Sequence, residues 1–134
     1  MKLYSSIGPN PRVVRMCAAE KGIALDIERI DILAGDNRRE PYLSINPAGT
    51  TPALMLDDGQ VIAEVLAACE YFDETHATPP LIGTTPAARA AVRTWTRRID
   101  LGFALPLTLG FRASGGRAMF APRMIVAPEA AAPD

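Results

Sequence analysis

The segment Asn46-Pro47-Ala48-Gly49-Thr50-Thr51-Pro52-Ala53-Leu54 is the most informative stretch of this chain. Its prolines and glycine predict a turn. Apolar residues at 53–56 and 61–62 then predict two strands, and Asp57-Asp58-Gly59 between them is a strong hairpin signal. The segment is therefore expected to lead from a turn into an antiparallel pair of strands.

The residues before this segment predict a strand, a helix and a second strand. The first strand is expected over Lys2–Ser5. Asn10 followed by Pro11 predicts a helix start with Asn10 as the N-cap, and Gly22 predicts the end of that helix. Apolar and charged residues alternate over 25–28, which predicts a half-buried strand.

Two more helices complete the predicted order of elements. A short irregular helix is expected over residues 38–45, and a longer one from Glu64, with Ala68, Tyr71 and Phe72 on its apolar side. The order βαβ, α, ββα predicts an α/β domain with a mixed four-stranded sheet and helices on both faces. This is the thioredoxin-like arrangement.

The remainder of the chain predicts a linker and then a helix. Residues 78–85 are rich in Pro and Gly, and Thr85-Pro86 predicts a helix start. Trp95 and Ile99 lie on the apolar side of that helix. Beyond Gly102 the helical pattern weakens, because proline and glycine interrupt it repeatedly.

These patterns predict two domains. Residues 1–82 form the thioredoxin-like domain, and residues 83–134 are interpreted as the incomplete start of an all-α domain, with the chain truncated relative to a complete protein. Because a shortened helical domain leaves its first helix without much of its core, we expect Trp95, Ile99 and Phe103 to be more exposed than in a complete one.

Composition narrows the classes of partner. The chain has 134 residues, 49% of them hydrophobic and 22% charged, with a net charge of -1. This balance is typical of a globular protein and does not favour nucleic acid or an anionic membrane surface as partner. No apolar run reaches the roughly 18 residues of a transmembrane helix, and the N-terminus lacks the apolar stretch of a signal peptide. A cytoplasmic location is the resulting expectation.

Cysteine and histidine usage gives no sign of a metal centre. Cys17 and Cys69 lie far apart and form no CxxC pair, so both are interpreted as small core residues. His76 is the only histidine. A zinc site or a Cys–His nucleophile pair is therefore not expected.

The informative segment, followed by Asp58-Gly59, Ile62 and Glu64, resembles the glutathione S-transferase pattern NPxGxVPAL…DG…I.ES. Lys2-Leu3-Tyr4 and Glu20-Lys21-Gly22 also fit the opening of that family, so the resemblance covers about the first 82 residues. It implies an enzyme with glutathione as co-substrate and no metal, which activates the glutathione thiol for conjugation to a small hydrophobic electrophile in detoxification. It also implies a homodimer, if the helical domain were complete.

The resemblance implies a set of glutathione contacts. Thr51 offers its backbone to the cysteinyl unit, which requires the peptide bond before Pro52 to be cis. Glu64 and the backbone N–H of Val65 hold the γ-glutamyl group, although the family usually has Ser where this chain has Val65. Arg38 or Arg39, together with Thr50, is a candidate for the glycine carboxylate, and solvated surface charge is the alternative interpretation of either arginine.

For the residue that activates the thiol, the resemblance leaves several candidates open. The position where relatives have Ser, Thr, Tyr or Cys falls on Gly8, or on Pro9 in an alternative alignment, and neither has a side-chain donor. Ser5, Ser6 and Asn10 are the candidate substitutes. The alternative for Asn10 is a purely structural role as a helix cap.

Two other functions are considered. A non-catalytic glutathione-binding or protein-interaction module is supported by the missing hydroxyl and the short helical part. A thiol–disulfide oxidoreductase is disfavoured because residues 5–12 contain no cysteine.

Overall fold

The computed structural model describes residues 1–122, and the chain divides after Leu81 into two compact units. In the first unit the strands are β1 (Lys2–Ser5), β2 (Asp26–Arg29), β3 (Ala53–Met55) and β4 (Val61–Ile62). Its α-helices are α1 (Pro9–Glu20), α2 (Tyr42–Ile45) and α3 (Val65–Thr75), with a 3-10 turn over Asp36–Arg38.

The four strands form one mixed sheet in the order β2-β1-β3-β4. β1 is parallel to β2 and antiparallel to β3, and β3 is antiparallel to β4. The thioredoxin-like fold and the hairpin predicted from the sequence are confirmed. A helical segment follows, also as predicted.

Each face of the sheet carries its own core. Leu3 and Leu54 are fully buried together with Val14 of α1 and Phe72 of α3. The neighbouring residues Tyr4 and Ala53 belong to the second cluster, with Ile30 and Tyr42. Successive side chains of a strand point to opposite faces, so adjacent residues of β1 and β3 supply the two cores.

The start of α1 differs from the prediction. The helix begins at Pro9, and Gly8 is the N-cap residue with φ 136°. Asn10 lies inside the first turn and is exposed, so the assignment of Asn10 as N-cap was wrong. Pro9 already supplies the fixed φ that suits the first helical position, and Gly8 tolerates the positive φ before it.

The burial of β2 also differs from the prediction. All four of its residues are exposed, and Ile27 is 49% exposed. β2 is an edge strand that pairs only with β1. Burial falls instead on the flanking residues, because Ile30 is buried and Leu25 packs partly against the first core.

The second unit is mainly helical. It contains α4 (Pro86–Ile99), a π-helical turn (Asp100–Ala104), α5 (Leu105–Ala113) and α6 (Arg117–Phe120). Thr85 caps α4 as its Oγ1 accepts the Ala88 N–H at 3.1 Å, which confirms the predicted start.

Although the helical pattern of the sequence weakens beyond Gly102, the helical run continues to Ala113. Pro106 lies in the first turn of α5, directly after the π-helical turn. A missing N–H is tolerated best in the first turn of a helix.

The apolar side chains of this run are open to solvent. Trp95, Ile99 and Phe103 are 61%, 57% and 64% exposed. The guanidinium of Arg98 lies 5.2 Å from the centre of the Trp95 ring. The greater exposure of these three side chains than in a complete domain stays a prediction. No helix within residues 1–122 is long and apolar enough to cross a bilayer.

A buried ion pair ties the end of α1 to the end of α3. The Lys21 ammonium pairs with the Asp73 carboxylate, and the two side chains are 0% and 8% exposed. Lys21 also donates to the carbonyl oxygens of His76, at 2.7 Å, and Pro79. Asp73 accepts the Leu81 N–H at 2.7 Å. Both charges are thus satisfied by several hydrogen bonds, as buried charges require.

Replacement of Lys21 by methionine tests this pair. We expect Lys21→Met to lower the free energy of unfolding by about 3–5 kcal/mol, because the carboxylate of Asp73 stays buried without its cation. Urea denaturation measures the loss. The matched control is Lys2→Met, which removes an exposed ammonium paired with Glu28 and should leave the midpoint nearly unchanged. Equal losses in the two variants would contradict a special role for the buried pair.

Candidate active site

The turn before β3 is organised by the buried side chain of Asn46, which is 3% exposed. Its Nδ2 donates to the carbonyl oxygen of Thr50 at 2.8 Å, and its Oδ1 accepts the Ala48 N–H at 3.2 Å. Its own carbonyl oxygen accepts the Gly49 N–H at 2.9 Å. One residue therefore bonds to three of the next four and fixes the path of the turn.

Gly49 is needed where the turn meets the preceding loop. Its φ is +60°, and a Cβ there would lie 2.8 Å from the carbonyl oxygen of Asn37. The Nδ2 of Asn37, itself buried, donates to the Gly49 carbonyl oxygen at 2.6 Å. Backbone and side chain approach each other so closely here that only glycine fits.

The Tyr42 side chain is a second donor to the Thr50 carbonyl, besides Asn46. The Tyr42 hydroxyl donates to the Thr50 carbonyl oxygen at 2.5 Å. Burial raises the pKa of Tyr42, so this hydroxyl stays protonated and able to donate. The Thr50 carbonyl therefore points into the protein, while the residue after it is free to face the loop between β1 and α1.

The turn ends at a cis peptide bond between Thr51 and Pro52, as predicted. Because β3 lies next to β1, Thr51 comes opposite the residue that follows β1, which is Ser6. The hydroxyls of Ser6 and Thr51 share a hydrogen bond of 2.6 Å. Of the three candidate activating residues, Ser6 is thus the one in direct contact with the turn.

The other two candidates lie differently. Ser5 is 5% exposed at the end of β1, and its carbonyl oxygen accepts the Ile30 N–H at 2.8 Å. Asn10 is exposed in the first turn of α1. Neither makes a hydrogen bond to the turn among residues 1–122.

Glu64 and Val65 stand at the N-terminus of α3. Glu64 is the N-cap residue, exposed, and its side chain forms no capping hydrogen bond among the described residues. Val65 is the first helical residue and is partly buried. A helix N-terminus of this kind combines free N–H groups with a favourable dipole for an anion.

Arg39 is engaged within its own loop. Its guanidinium forms an ion pair with Asp36, and its side chain is 63% exposed. The Thr50 hydroxyl accepts from Asn46 Nδ2 at 3.2 Å. Both residues are near the turn in sequence, and their contact with a ligand stays a prediction.

A family model for the N-terminal domain of glutathione S-transferases matches residues 7–75, slightly more than half of the 134-residue chain. This chain belongs to the glutathione S-transferase family. The match covers α1 to α3 and so includes the whole turn around Asn46.

Sequence similarity to two curated proteins supports this assignment. Glutathione S-transferase 2 of Saccharomyces cerevisiae is 36% identical over 106 residues, covering 78% of this chain and 46% of the yeast protein. Maleylacetoacetate isomerase of Pseudomonas aeruginosa is 32% identical over 96 residues, covering 69% of this chain and 45% of the isomerase. The chain therefore spans about half the length of these curated relatives.

A solved structure shows the same similarity in three dimensions. A glutathione S-transferase domain-containing protein of Marinobacter aquaeolei has a TM-score of 0.80 and 35% identity. The similarity covers 84% of this chain and 56% of that one.

Three side chains hold the turn before β3 through contacts that the sequence analysis did not predict. Asn37 and Tyr42 hold the turn from 12 and 8 residues away. Asn46 was part of the predicted pattern, yet its three bonds within the turn were not foreseen. An asparagine that opens a turn is a recognisable local signal, whereas the two longer contacts have no local signature.

The two cysteines lie on facing helices, Cys17 on α1 and Cys69 on α3. Cys17 Sγ lies 3.9 Å from the Cys69 carbonyl oxygen, and both residues pack partly buried against the first core, as predicted. Burial raises the pKa of Cys17. Burial, with a smaller contribution from the Cys17 thiol, raises the pKa of Cys69 to about 12. In residues 1–122 no three His, Cys, Asp or Glu side chains are grouped to hold a metal ion.

The thiol pKa values predict slow alkylation. A raised pKa means less thiolate at a given pH, so native protein should react slowly with iodoacetamide at neutral pH. Its rate should still rise beyond about pH 9, where an ordinary thiol with a pKa of about 8.5 has levelled off. Mass spectrometry measures the rate, with urea-unfolded chain as control. Identical pH profiles for native and unfolded chain would contradict the burial of these thiols.

A comparison of alanine substitutions at Gly22 and Gly49 distinguishes the cost of backbone strain from the cost of a close contact. Gly22 and Gly49 have similar φ values of +66° and +60°, but a Cβ at Gly22 meets nothing within 4 Å. Gly22→Ala is expected to cost about 1–2 kcal/mol of unfolding free energy, from the left-handed conformation alone. Gly49→Ala should cost more, because the new Cβ also meets the Asn37 carbonyl. Thermal denaturation compares them, and an equal cost would show that the contact at Gly49 contributes nothing.

Proposed function

We propose that this chain binds glutathione in the groove formed by the turn before β3 and the loop after β1, and activates its thiol for conjugation to small electrophiles. The observation that supports this most directly is the 2.6 Å contact between Ser6 Oγ and Thr51 Oγ1. It brings a hydroxyl donor to the residue that, in this proposal, binds the cysteinyl unit.

The backbone of Thr51 is proposed to receive the cysteinyl unit. Thr51 and Pro52 lead directly into β3, so the backbone of Thr51 lies two residues before the first residue of the strand. A peptide that pairs with this position binds as an added strand does, through main-chain hydrogen bonds. With its backbone fixed there, the cysteinyl side chain points towards Ser6.

The N-terminus of α3 is proposed to hold the γ-glutamyl group. Its carboxylate suits the backbone N–H of Val65 and the positive end of the helix. Its ammonium suits the Glu64 carboxylate, which is exposed and makes no capping bond among residues 1–122. Arg39, which keeps further donors besides those facing Asp36, and the Thr50 hydroxyl are proposed for the glycine carboxylate.

Ser6 is proposed as the main thiol-activating residue. Its hydroxyl donates to the sulfur and stabilises the thiolate, which lowers the pKa of the bound thiol. The proton goes to solvent, the sulfur forms a bond to the electrophilic carbon, and the leaving group departs with its electron pair. Ser5 and Asn10 are secondary candidates. A homodimer, a cytoplasmic setting and a role in detoxification are part of the proposal by family resemblance.

A non-catalytic glutathione-binding module is the second candidate, because Gly8 and Val65 occupy positions where relatives carry hydroxyls. Retention on immobilised glutathione and turnover of a generic aryl halide separate the two. Retention with turnover supports the enzyme, and retention without turnover supports the module. A chain that is not retained contradicts both.

Substitution of Ser6 tests its role in activation. We expect Ser6→Ala to lower kcat/KM for the aryl halide by about ten- to a hundredfold, since a hydrogen bond to a charged group is lost. The pKa of the bound thiol should rise, so the rate profile moves to higher pH and part of the activity returns under alkaline conditions. Steady-state rates across pH measure both effects.

Ser44→Ala is the matched control, because it removes an exposed hydroxyl that bonds only to Glu40 among residues 1–122. This variant should behave as wild type. Asn10→Ala tests one of the two secondary candidates: a rate equal to wild type removes Asn10 from the mechanism. An unchanged pH profile in Ser6→Ala would exclude Ser6 as the activating residue.

A further inference from the structure

A second groove of about 970 Å³ lies on the outer side of α1, between this helix and the edge strand β2. It begins at Ser5 and Ser6 and runs past Arg12 and Met16 as far as Ala19. Its volume falls within the range of small-molecule sites. One end of the groove is thus the loop that carries the proposed thiol-activating hydroxyl.

Three arginines converge on this groove. Arg12 and Arg15 come from α1 and Arg29 from β2, and no carboxylate residue lines the groove. None of the three forms an ion pair with another residue of the part of the chain described by the structure, although Arg29 is near enough to Asp31 to help lower the pKa of that carboxyl. A cluster of arginines with no carboxylate beside it attracts an anionic ligand. Guanidinium groups bind such a ligand through paired hydrogen bonds.

The acidic residues of β2 lie on the other side of the sheet. Asp26 and Glu28 alternate with Ile27 and Arg29 along the strand, and both pair with Lys2. Since alternate residues of a strand point to opposite faces, their charges do not neutralise the arginines in the groove.

The groove also has an apolar part. Ile7, Met16 and Ile27 line it and are 49%, 59% and 49% exposed. Apolar side chains that stay half exposed in a concave site gain free energy when a ligand covers them. The combination of guanidinium groups and apolar side chains suits a ligand with an apolar body and an anionic group.

We propose that this groove binds the electrophilic second substrate, and that this substrate is an organic acid with an apolar or aromatic body. The inference rests on the proposed function, which places the glutathione sulfur beside Ser6 at one end of the groove. For a chloroaromatic acid, the sulfur forms a bond to the ring carbon, the carbon–chlorine bond breaks, and chloride leaves with the electron pair. The thiol proton passes to solvent.

The test compares 4-chloro-3-nitrobenzoate with its neutral amide, 4-chloro-3-nitrobenzamide, on the full chain. Binding is measured by NMR titration without glutathione, and conjugation is measured with it. The benzoate should bind more tightly than the amide and shift the signals of groove residues. Arg12→Gln/Arg15→Gln should weaken benzoate binding by about tenfold or more and leave amide binding unchanged.

Arg97→Gln/Arg117→Gln is the matched control, with the same loss of charge outside the groove. It should bind the benzoate as wild type does. Equal affinity for benzoate and amide would overturn the proposal, as would equal weakening in both arginine pairs. The proposal would also be overturned if an acidic amphipathic peptide bound in an arginine-dependent way and the benzoate did not bind. The groove would then be a protein-docking surface.

Retention on immobilised glutathione separates this proposal from the proposed function. If the wild type and the Arg12/Arg15 variant are both retained but the wild type does not bind the benzoate, the glutathione site is supported and the proposal for the groove is overturned. Specific benzoate binding by a chain that does not retain glutathione supports an organic-acid site in the groove and contradicts the proposed transferase. Retention by the Arg12/Arg15 variant also shows that it is folded.

Discussion

The side chain of Asn46 fixes the geometry on which the proposed site depends. It is buried, and its amide bonds to both the start and the end of the turn that precedes β3. A buried amide that lost these partners would leave several backbone groups unpaired, at a cost of about 1–3 kcal/mol each. The turn is therefore held in one conformation before any ligand arrives.

A short series of hydrogen bonds connects Asn46 to the residues proposed to face the ligand. Tyr42 and Asn46 together hold the Thr50 carbonyl inward, and the next residue, Thr51, meets Ser6 across the sheet. Because β1 and β3 are paired, the loop after β1 and the turn before β3 keep a fixed spacing. A site assembled from two such rigid parts needs little reorganisation to bind a peptide-like ligand.

The sequence was sufficient for the fold and for the central turn, because both depend on local signals. The turn residues at 46–52, the hairpin at Asp57-Asp58-Gly59 and the helix start at Thr85 each occur within a few positions of the structure they produce. The cis bond before Pro52 was predicted through family resemblance, since base rates favour trans.

Features set by competing local signals or by tertiary contacts were harder to predict. Asn10 before Pro11 is a good local helix start, yet Pro9 and Gly8 provide a better one immediately upstream. The exposure of β2 depends on its place at the edge of the sheet, which alternation cannot reveal. The bonds of Lys21 to Asp73, His76 and Pro79 join residues more than fifty positions apart, so no local pattern indicates them.

A crystal structure of the chain with glutathione bound would test the central claim most directly. The cysteinyl backbone is expected to pair with Thr51 as an added strand, and the sulfur is expected to lie within hydrogen-bonding distance of Ser6 Oγ. The γ-glutamyl carboxylate should meet the backbone N–H of Val65. Glutathione bound elsewhere, or bound with its sulfur directed away from Ser6, would contradict the account.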